Sequence, residues 1–233
     1  MRLIAVTLAA VALVAQPADR AWLFLVDDLH IEFMHTGRLR DLLRTAAKEL
    51  IGDGDRYLLR ASGPSGSGSV AATADRDLIV PAIRFMTGNG LKAIDITRNP
   101  APAAVREVLY RDNVSLDTFD NAVTALAAEE APRKAMILVS WGFDIEGFPA
   151  IADRLDALAS RARASGIAIF AIDARGFGAD LLPDPRVDAS AWQRYLDSTR
   201  RSLSLIAEGT GGFVVERVSE PHADLNRIAA QMR

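Results

Sequence analysis

Two adjacent carboxylates, Asp27 and Asp28, directly follow the apolar run 23–26. A short apolar run bounded by polar residues is typical of a strand that is buried on both faces of a parallel sheet. Open α/β sheets bind their ligands beyond the carboxyl ends of the strands, which is where these two acids would lie. Hard divalent cations such as Mg²⁺ prefer carboxylate and other oxygen ligands. The sequence therefore predicts a candidate cation site at this edge of a sheet.

The same loop offers a different set of metal ligands, because His30, Glu32 and His35 follow the two acids. Imidazole together with carboxylate suits Zn²⁺, Mn²⁺ or Fe²⁺. The spacing, however, matches no recognised zinc motif such as His-Glu-x-x-His. We therefore expect His30 and His35 to be solvated residues of a loop and a first helical turn.

Composition restricts the class of protein. A chain of 233 residues, of which 50% are hydrophobic, suits one large domain with a single core. The formal charge is −3 and charges of both signs are interspersed, whereas nucleic-acid binding requires a concentrated cationic surface. The chain has no cysteine, which excludes disulfides, cysteine-ligated zinc and thiol catalysis. A nucleic-acid partner is not expected.

Residues 1–15 have the pattern of a secretory signal peptide. Arg2 gives a positive start, residues 3–14 are apolar apart from Thr7, and Ala15 provides a small residue before a cleavage site. An apolar stretch of about a dozen residues is too short to span a bilayer comfortably, although a buried first strand or helix is an alternative. We expect a signal peptide at 1–15, a short linker at 16–20 and a single domain at 21–233. The domain would be periplasmic or secreted, without a stable membrane span.

Apolar runs alternate with helical patterns along the rest of the chain. The runs predict parallel strands near 23–26, 56–60, 135–139, 167–172 and 213–215. The Gly/Ser-rich stretch 62–69 predicts a hairpin that adds an antiparallel edge strand at 70–73. Residues 88–114 are the least regular part and predict a long loop, with a helix opening at Asp117. The expected fold is a three-layer α/β/α sandwich around a mostly parallel sheet of about six strands.

Six segments in chain order carry a resemblance to a known family. They are LVDDLH at 25–30, DGDR at 53–56, TADR at 73–76, RKAMILVSWG at 133–142, SGIAIFAIDARG at 165–176 and AEGTGG at 207–212. Together they resemble the von Willebrand factor A-type (vWA) domain, and more narrowly its bacterial secreted VWFA-related subfamily. The resemblance implies a Rossmann-like fold and a metal-ion-dependent adhesion site. In such a site, carboxylate and hydroxyl oxygens hold a divalent cation whose open position a partner's carboxylate completes.

The resemblance also indicates which ligands this chain lacks. The first acid of the adhesion site matches Asp27, but the two hydroxyl positions that follow fall on Leu29 and Ile31, which carry no side-chain oxygen. Trp141 replaces the last acid of the site. The remaining candidate ligands for Mg²⁺ or another divalent cation are Asp27, Asp117, Thr118 and Asp144. Because water would have to supply most of the coordination, we expect a degenerate site whose metal binding is lost or weakened.

Aromatic residues lie beside this former site. Trp141 and Phe143 follow the strand at 135–139 and either cap the sheet above Leu29 and Ile31 or stand exposed as anchors for a partner. We favour packing, since exposed apolar clusters are uncommon on monomers. The interaction surface that the sequence predicts is marked by Asp28, His30, Trp141 and Phe143.

These observations favour a non-enzymatic, extracytoplasmic protein-interaction or adhesion domain whose protein partner the sequence does not identify. Two alternatives stay open. One is a metal-dependent hydrolase that uses the loop of Asp27, Asp28 and His30 together with Asp144. The other is a structural assembly factor that binds through residues 88–114.

Overall fold

A computed structural model describes residues 18–97, 102–177, 186–216 and 221–233. The predicted signal peptide at 1–15 lies outside the described residues. The described chain contains a six-stranded sheet with the order β3-β2-β1-β4-β5-β6. The strands are β1 Arg20–Val26, β2 Arg56–Ala61, β3 Val70–Thr73, β4 Arg133–Ser140, β5 Ile167–Asp173 and β6 Val214–Val215. All neighbouring strands are parallel except β2 and β3, so the predicted antiparallel edge strand is confirmed.

Helices connect the strands and cover the sheet. The α-helices are α1 Thr36–Leu50, α2 Ile79–Ile83, α3 Ala93–Thr97, α4 Pro102–Ala127, α5 Pro149–Ala164, α6 Ala189–Gly209 and α7 His222–Gln231. Short 3₁₀ turns occur at Asp28–His30, Phe33–His35, Pro64–Gly68, Arg76–Leu78 and Ala174–Phe177. Among the described helices, none is long and apolar enough to cross a membrane.

Both faces of the sheet are buried, as the uninterrupted apolar runs predicted. Alternate residues of β1 belong to two separate cores: Trp22, Phe24 and Val26 to one, Ala21, Leu23 and Leu25 to the other. Helices α1 and α7 supply the first core, whereas α4 and α5 supply the second. This arrangement confirms the predicted α/β/α sandwich.

The described part of the segment 88–114 differs from the prediction of a long loop. Instead of a long loop followed by a helix at Asp117, the chain forms α3 and then α4, which begins at Pro102. Proline is favoured in the first turn of a helix, where its missing N–H costs no hydrogen bond. The first half of α4 carries few buried apolar residues, while Phe119 and Val123 in its second half are buried. The weak amphipathic pattern therefore concealed the start of the helix.

The strand order places a crevice at the carboxyl ends of β1 and β4. The connection from β1 leads to β2 on one side of β1, while β4 pairs with its other side. Open α/β sheets bind ligands at such a reversal of strand order. Asp27 leaves β1 here, and its backbone N–H donates to the Val139 carbonyl at 2.9 Å. Ser140 ends β4 beside it.

Candidate functional site

Asp27 is buried at the centre of this crevice and accepts three side-chain hydrogen bonds. Its Oδ2 atom accepts from Ser140 Oγ at 2.6 Å and lies 2.8 Å from His30 Nδ1. Its Oδ1 atom accepts from Ser115 Oγ, on α4, at 2.6 Å. Both oxygens of the Asp27 carboxylate therefore bind groups from the loop after β1, from β4 and from α4.

His30 lies between two buried carboxylates. Its Nδ1 atom contacts Asp27, and its Nε2 atom lies 2.9 Å from Asp112 Oδ1 on α4. A neutral imidazole has a single N–H, whereas an ionised carboxylate can only accept, so both contacts are hydrogen bonds only when the ring is an imidazolium. The ring also packs edge-on against Phe143, with centroids 5.2 Å apart. The expectation that His30 is solvated is wrong.

The electrostatics of this pair agree with its geometry. Burial alone would lower the pKa of His30, but the charge of Asp27 and the hydrogen bonds to Asp112 and Asp27 raise it to about 10. Burial alone would raise the pKa of Asp27. The charge and hydrogen bond of His30, with the hydroxyls of Ser115 and Ser140, instead hold that pKa below its ordinary value. The raised pKa of His30 and the lowered pKa of Asp27 both favour an imidazolium paired with the Asp27 carboxylate.

Asp28 faces away from this centre and binds two neighbouring loops. Its carboxylate accepts from the backbone N–H groups of Gly63 at 2.6 Å and Ser65 at 3.1 Å, and from Asn89 Nδ2 at 3.1 Å. The Asn89 backbone N–H in turn donates to the Asp28 carbonyl at 2.7 Å. Asp28 is completely buried. The prediction that Asp28 belongs to an interaction surface is wrong, because its buried carboxylate binds the loop at Gly63 and Ser65 and the segment at Asn89.

The four predicted metal ligands do not converge. Asp117 is largely exposed and pairs with Arg154 at 2.7 Å. Thr118 donates to the Val114 carbonyl within α4, while Asp144 accepts from Ser198 Oγ at 2.7 Å. Only Asp27, of the four, lies in the network described above. Within residues 18–97, 102–177, 186–216 and 221–233, no group of three or more acidic or histidine side chains is arranged to hold a metal ion.

Trp141 and Phe143 are buried, at 2% and 1% exposure. The packing interpretation is therefore confirmed, and the assignment of these two side chains to an exposed interaction surface is wrong. Trp141 packs against His35 and Trp192, with ring centroids 5.8 and 6.4 Å apart, so His35 is not solvated either. Gly142 between the aromatics has φ of 87° and lies against the Thr199 carbonyl of α6. Aromatic packing thus closes the crevice from the β4 side.

Three residues of the network were missed by the sequence analysis. Ser140 follows an apolar run just as Asp27 does, and that shared position was an available signal. Asp112 and Ser115 are three residues apart, the spacing of neighbours on one helix face. The spacing of Asp112 and Ser115 is informative only if both residues are known to lie in a helix, and the sequence predicted that the helix began later, at Asp117.

Three exposed apolar residues lie on the 3₁₀ turn Phe33–His35 and shortly after the end of α2. Phe33, Met34 and Phe85 are 72%, 69% and 58% exposed, and we call these three residues the edge surface. The two segments that carry them are tied together, because the Gly88 N–H donates to Thr36 Oγ1 at 3.1 Å and Arg40 Nε donates to the Met86 carbonyl at 2.8 Å. The edge surface therefore flanks one hydrogen-bonded junction between the start of α1 and the segment after α2.

Comparison with solved structures identifies the fold. No protein-family model matches the chain, and no curated protein matches its sequence significantly. The vWF domain of the type V pili tip protein Mfa5 from Porphyromonas gingivalis is similar over 94% of this chain and 96% of its own, with a TM-score of 0.55 and 12% identity. An aerotolerance-related membrane protein from Bacteroides fragilis is similar over 91% of this chain and 98% of its own, with a TM-score of 0.51 and 11% identity.

A third similar structure is that of a minor pilin. The PilB minor pilin from Streptococcus sanguinis is similar over 95% of this chain and 63% of its own, with a TM-score of 0.51 and 10% identity. At such low identities the likeness concerns the fold and not the activity. The sheet order, the two cores and these similarities together show that the chain has the fold of a von Willebrand factor A-type domain.

Proposed function

We propose that this chain is a non-enzymatic, extracytoplasmic protein-interaction domain that binds its partner through the edge surface. The observation that carries the proposal is the contrast between polar side chains that are paired and apolar side chains that are exposed. Asp27 binds both His30 and Ser140, whereas Phe33 and Met34, on the loop after β1, and Phe85, after α2, remain exposed. Exposed aromatic and methionine side chains are the anchors that protein interfaces favour. The pilus proteins of similar fold support binding at a cell surface.

The geometry does not favour the metal-dependent hydrolase alternative. The four residues of that alternative point to three different places: Asp27 and His30 bind each other, Asp28 binds loop backbone, and Asp144 binds Ser198. A general base and a nucleophile or metal must converge on one reacting atom. These acids do not share an open position, so the geometry favours binding over catalysis.

The same residues are a poor fit for the cation that the fold family implies. Mg²⁺ requires near-octahedral oxygen ligands, but the oxygens of Asp27 accept hydrogen bonds from two hydroxyls and face the His30 ring. Leu29 and Ile31 are buried where hydroxyls were expected and offer no oxygen. The proposed interaction is therefore independent of divalent cations.

The assembly-factor alternative assumed that residues 88–114 form a loop that is available for binding. The described parts of this segment are tied to the domain, because Arg111 donates to the Asn89 carbonyl at 2.7 Å and Asp112 binds His30. Much of this segment, as far as the structure describes it, belongs to the wall of the crevice.

The proposal is tested by isolating a partner from the host's cell-envelope fraction and measuring its binding as a purified protein. We expect the double variant Phe33→Ser/Met34→Ser to weaken binding at least tenfold, about 1.4 kcal/mol. Tyr110→Ser, which removes an exposed aromatic of α4 outside the edge surface, is the matched control and should bind like wild type. A chelator should leave binding unchanged. Binding that requires Mg²⁺, or that survives the double variant, would refute the proposal.

A further inference from the structure

We propose that the domain carries its own cation: the ring of His30 occupies the acidic site between Asp27 and Asp112 and replaces an exchangeable metal ion. This inference concerns the interior of the crevice and does not depend on the edge surface. If the His30 side chain is removed, the vacated position between the two acids fits a flat organic monocation with two N–H donors, of which imidazolium is the simplest example.

The site is assembled from three separate elements. Asp27 follows β1, Ser140 ends β4, and Asp112 and Ser115 lie on one face of α4. The two hydroxyls donate to Asp27 and so orient its carboxylate, while Asp112 contributes a second carboxylate from the opposite side. Two buried acids facing each other would repel, and an isolated buried carboxylate is costly. A positive group between them therefore stabilises the folded state.

The ring of His30 provides this positive group and fits the position in both shape and charge. Its two nitrogens point in opposite directions, and the contacts of 2.8 and 2.9 Å to the two acids use both. Phe143 covers one side of the ring. Leu29 and Ile31, the sequence neighbours of His30, are buried and supply no side-chain oxygen for a hydrated metal ion.

Other charged groups near the ring already have partners. Arg111 beside the pocket binds Glu107 and the Asn89 carbonyl. The buried Arg175 pairs with Asp173 on β5. In the described part of the chain, His30 is thus the cationic side chain placed between these two acids, and its covalent attachment makes it permanent.

Chemical complementation tests this inference. Replacing the side chain in His30→Gly removes the cation and leaves a cavity of the shape of imidazole. We expect the variant to lose thermal stability and added imidazole to restore it. Free imidazole at about 100 times its Kd would raise the folded-to-unfolded ratio about a hundredfold. His222→Gly is the control, because His222 is exposed and bonds Glu49 at the surface.

The alternative results are distinct. If imidazole affects His30→Gly no more than wild type, or if Mg²⁺ stabilises wild type and Asp27→Asn abolishes that effect, the inference is wrong. Should His30→Gly fail to fold at all, wild type provides the test by NMR. Hydrogens on both ring nitrogens of His30 at pH 8, with no Mn²⁺ broadening at Ser115 or Ser140, would support a built-in cation. A single ring hydrogen or selective Mn²⁺ broadening would contradict it. Partner binding through the edge surface is measured separately, so either proposal can fail alone.

Discussion

The Nε2 atom of His30 lies 2.9 Å from Oδ1 of Asp112, a residue 82 positions further along the chain. This contact joins the loop after the first strand to the helix that precedes β4. It also places a positive ring where two acids meet, because Nδ1 of the same ring contacts Asp27. One side chain therefore links the loop after β1 to α4, in addition to the hydrogen bond from Ser115 to Asp27.

The stability of the domain should decline in the alkaline range. The pKa of His30 is raised from 6.5 to about 10 in the folded protein, so its stabilising contribution is complete below pH 6.5 and is lost as the pH rises through 10. We expect the free energy of unfolding to fall between these values with a slope approaching about 1.4 kcal/mol per pH unit. Urea denaturation across this range measures it, with His30→Gln for comparison. Parallel pH profiles for the two proteins would contradict a charged ring.

Removing either hydroxyl from the network should destabilise the fold. Ser115→Ala and Ser140→Ala each delete a hydrogen bond to the ionised Asp27. Hydrogen bonds to charged groups contribute about 1.5–3 kcal/mol, and we expect losses in that range by chemical denaturation. Ser67→Ala, on an exposed turn, should change the free energy of unfolding by less than about 0.5 kcal/mol. Equal effects at all three positions would show that Asp27 does not depend on these hydroxyls.

Asp28→Asn should loosen two loops together. An amide can replace one acceptor oxygen of the carboxylate but presents N–H hydrogens to the donors of Gly63, Ser65 or Asn89. We expect a loss of about 2 kcal/mol or more and faster hydrogen exchange in 62–65 and 86–90. Asp53→Asn, at a fully exposed acid that pairs only with Arg76 among the described contacts, should leave exchange unchanged. If exchange rises in one loop alone, Asp28 does not couple the two.

Two glycine substitutions should have opposite effects. A methyl group at Gly88 would lie 2.5 Å from the Ile31 carbonyl oxygen and nearer still to that of Glu32, whereas one at Gly37 in α1 meets nothing within 4 Å. Gly88→Ala should therefore force the first loop away from the segment after α2 and destabilise the protein by about 1–3 kcal/mol. Gly37→Ala should stabilise α1 by about 0.5–1 kcal/mol. Thermal denaturation distinguishes the two, and a stabilised Gly88→Ala would refute this packing.

The signal-peptide prediction is tested by the N-terminus of the exported protein. If residues 1–15 are cleaved, N-terminal sequencing of the periplasmic or secreted form should begin at Gln16. Ala15→Asp, which replaces the small residue at the cleavage site with a charged one, should block processing. Recovery of an uncleaved chain from the cytoplasm of the host would contradict both the signal and the extracytoplasmic assignment.

Several features were determined by the sequence alone. The apolar runs specified the buried strands, and Gly/Ser-rich residues 62–69 specified the antiparallel edge. The position of Asp27 at the carboxyl end of β1 also followed from pattern, since a strand that is buried on both faces must place the first polar residue beyond its end. These are local properties, which neighbouring residues in the chain largely decide.

Tertiary structure decided the chemistry of the site. Which residues reach Asp27 depends on the pairing of β1 with β4 and on where α4 crosses the sheet, and neither is encoded by nearby spacing. The partially exposed first half of α4 concealed Asp112 and Ser115, while the resemblance to the vWA family pointed to Asp117 and Thr118. His30 was predicted to be a solvated loop residue, because Asp112, which contacts its Nε2 atom in the folded protein, is distant in the sequence. A buried charge needs partners that the tertiary structure brings close to it. The sequence therefore predicted the position of the site at the end of β1, whereas the fold determined which side chains bind Asp27.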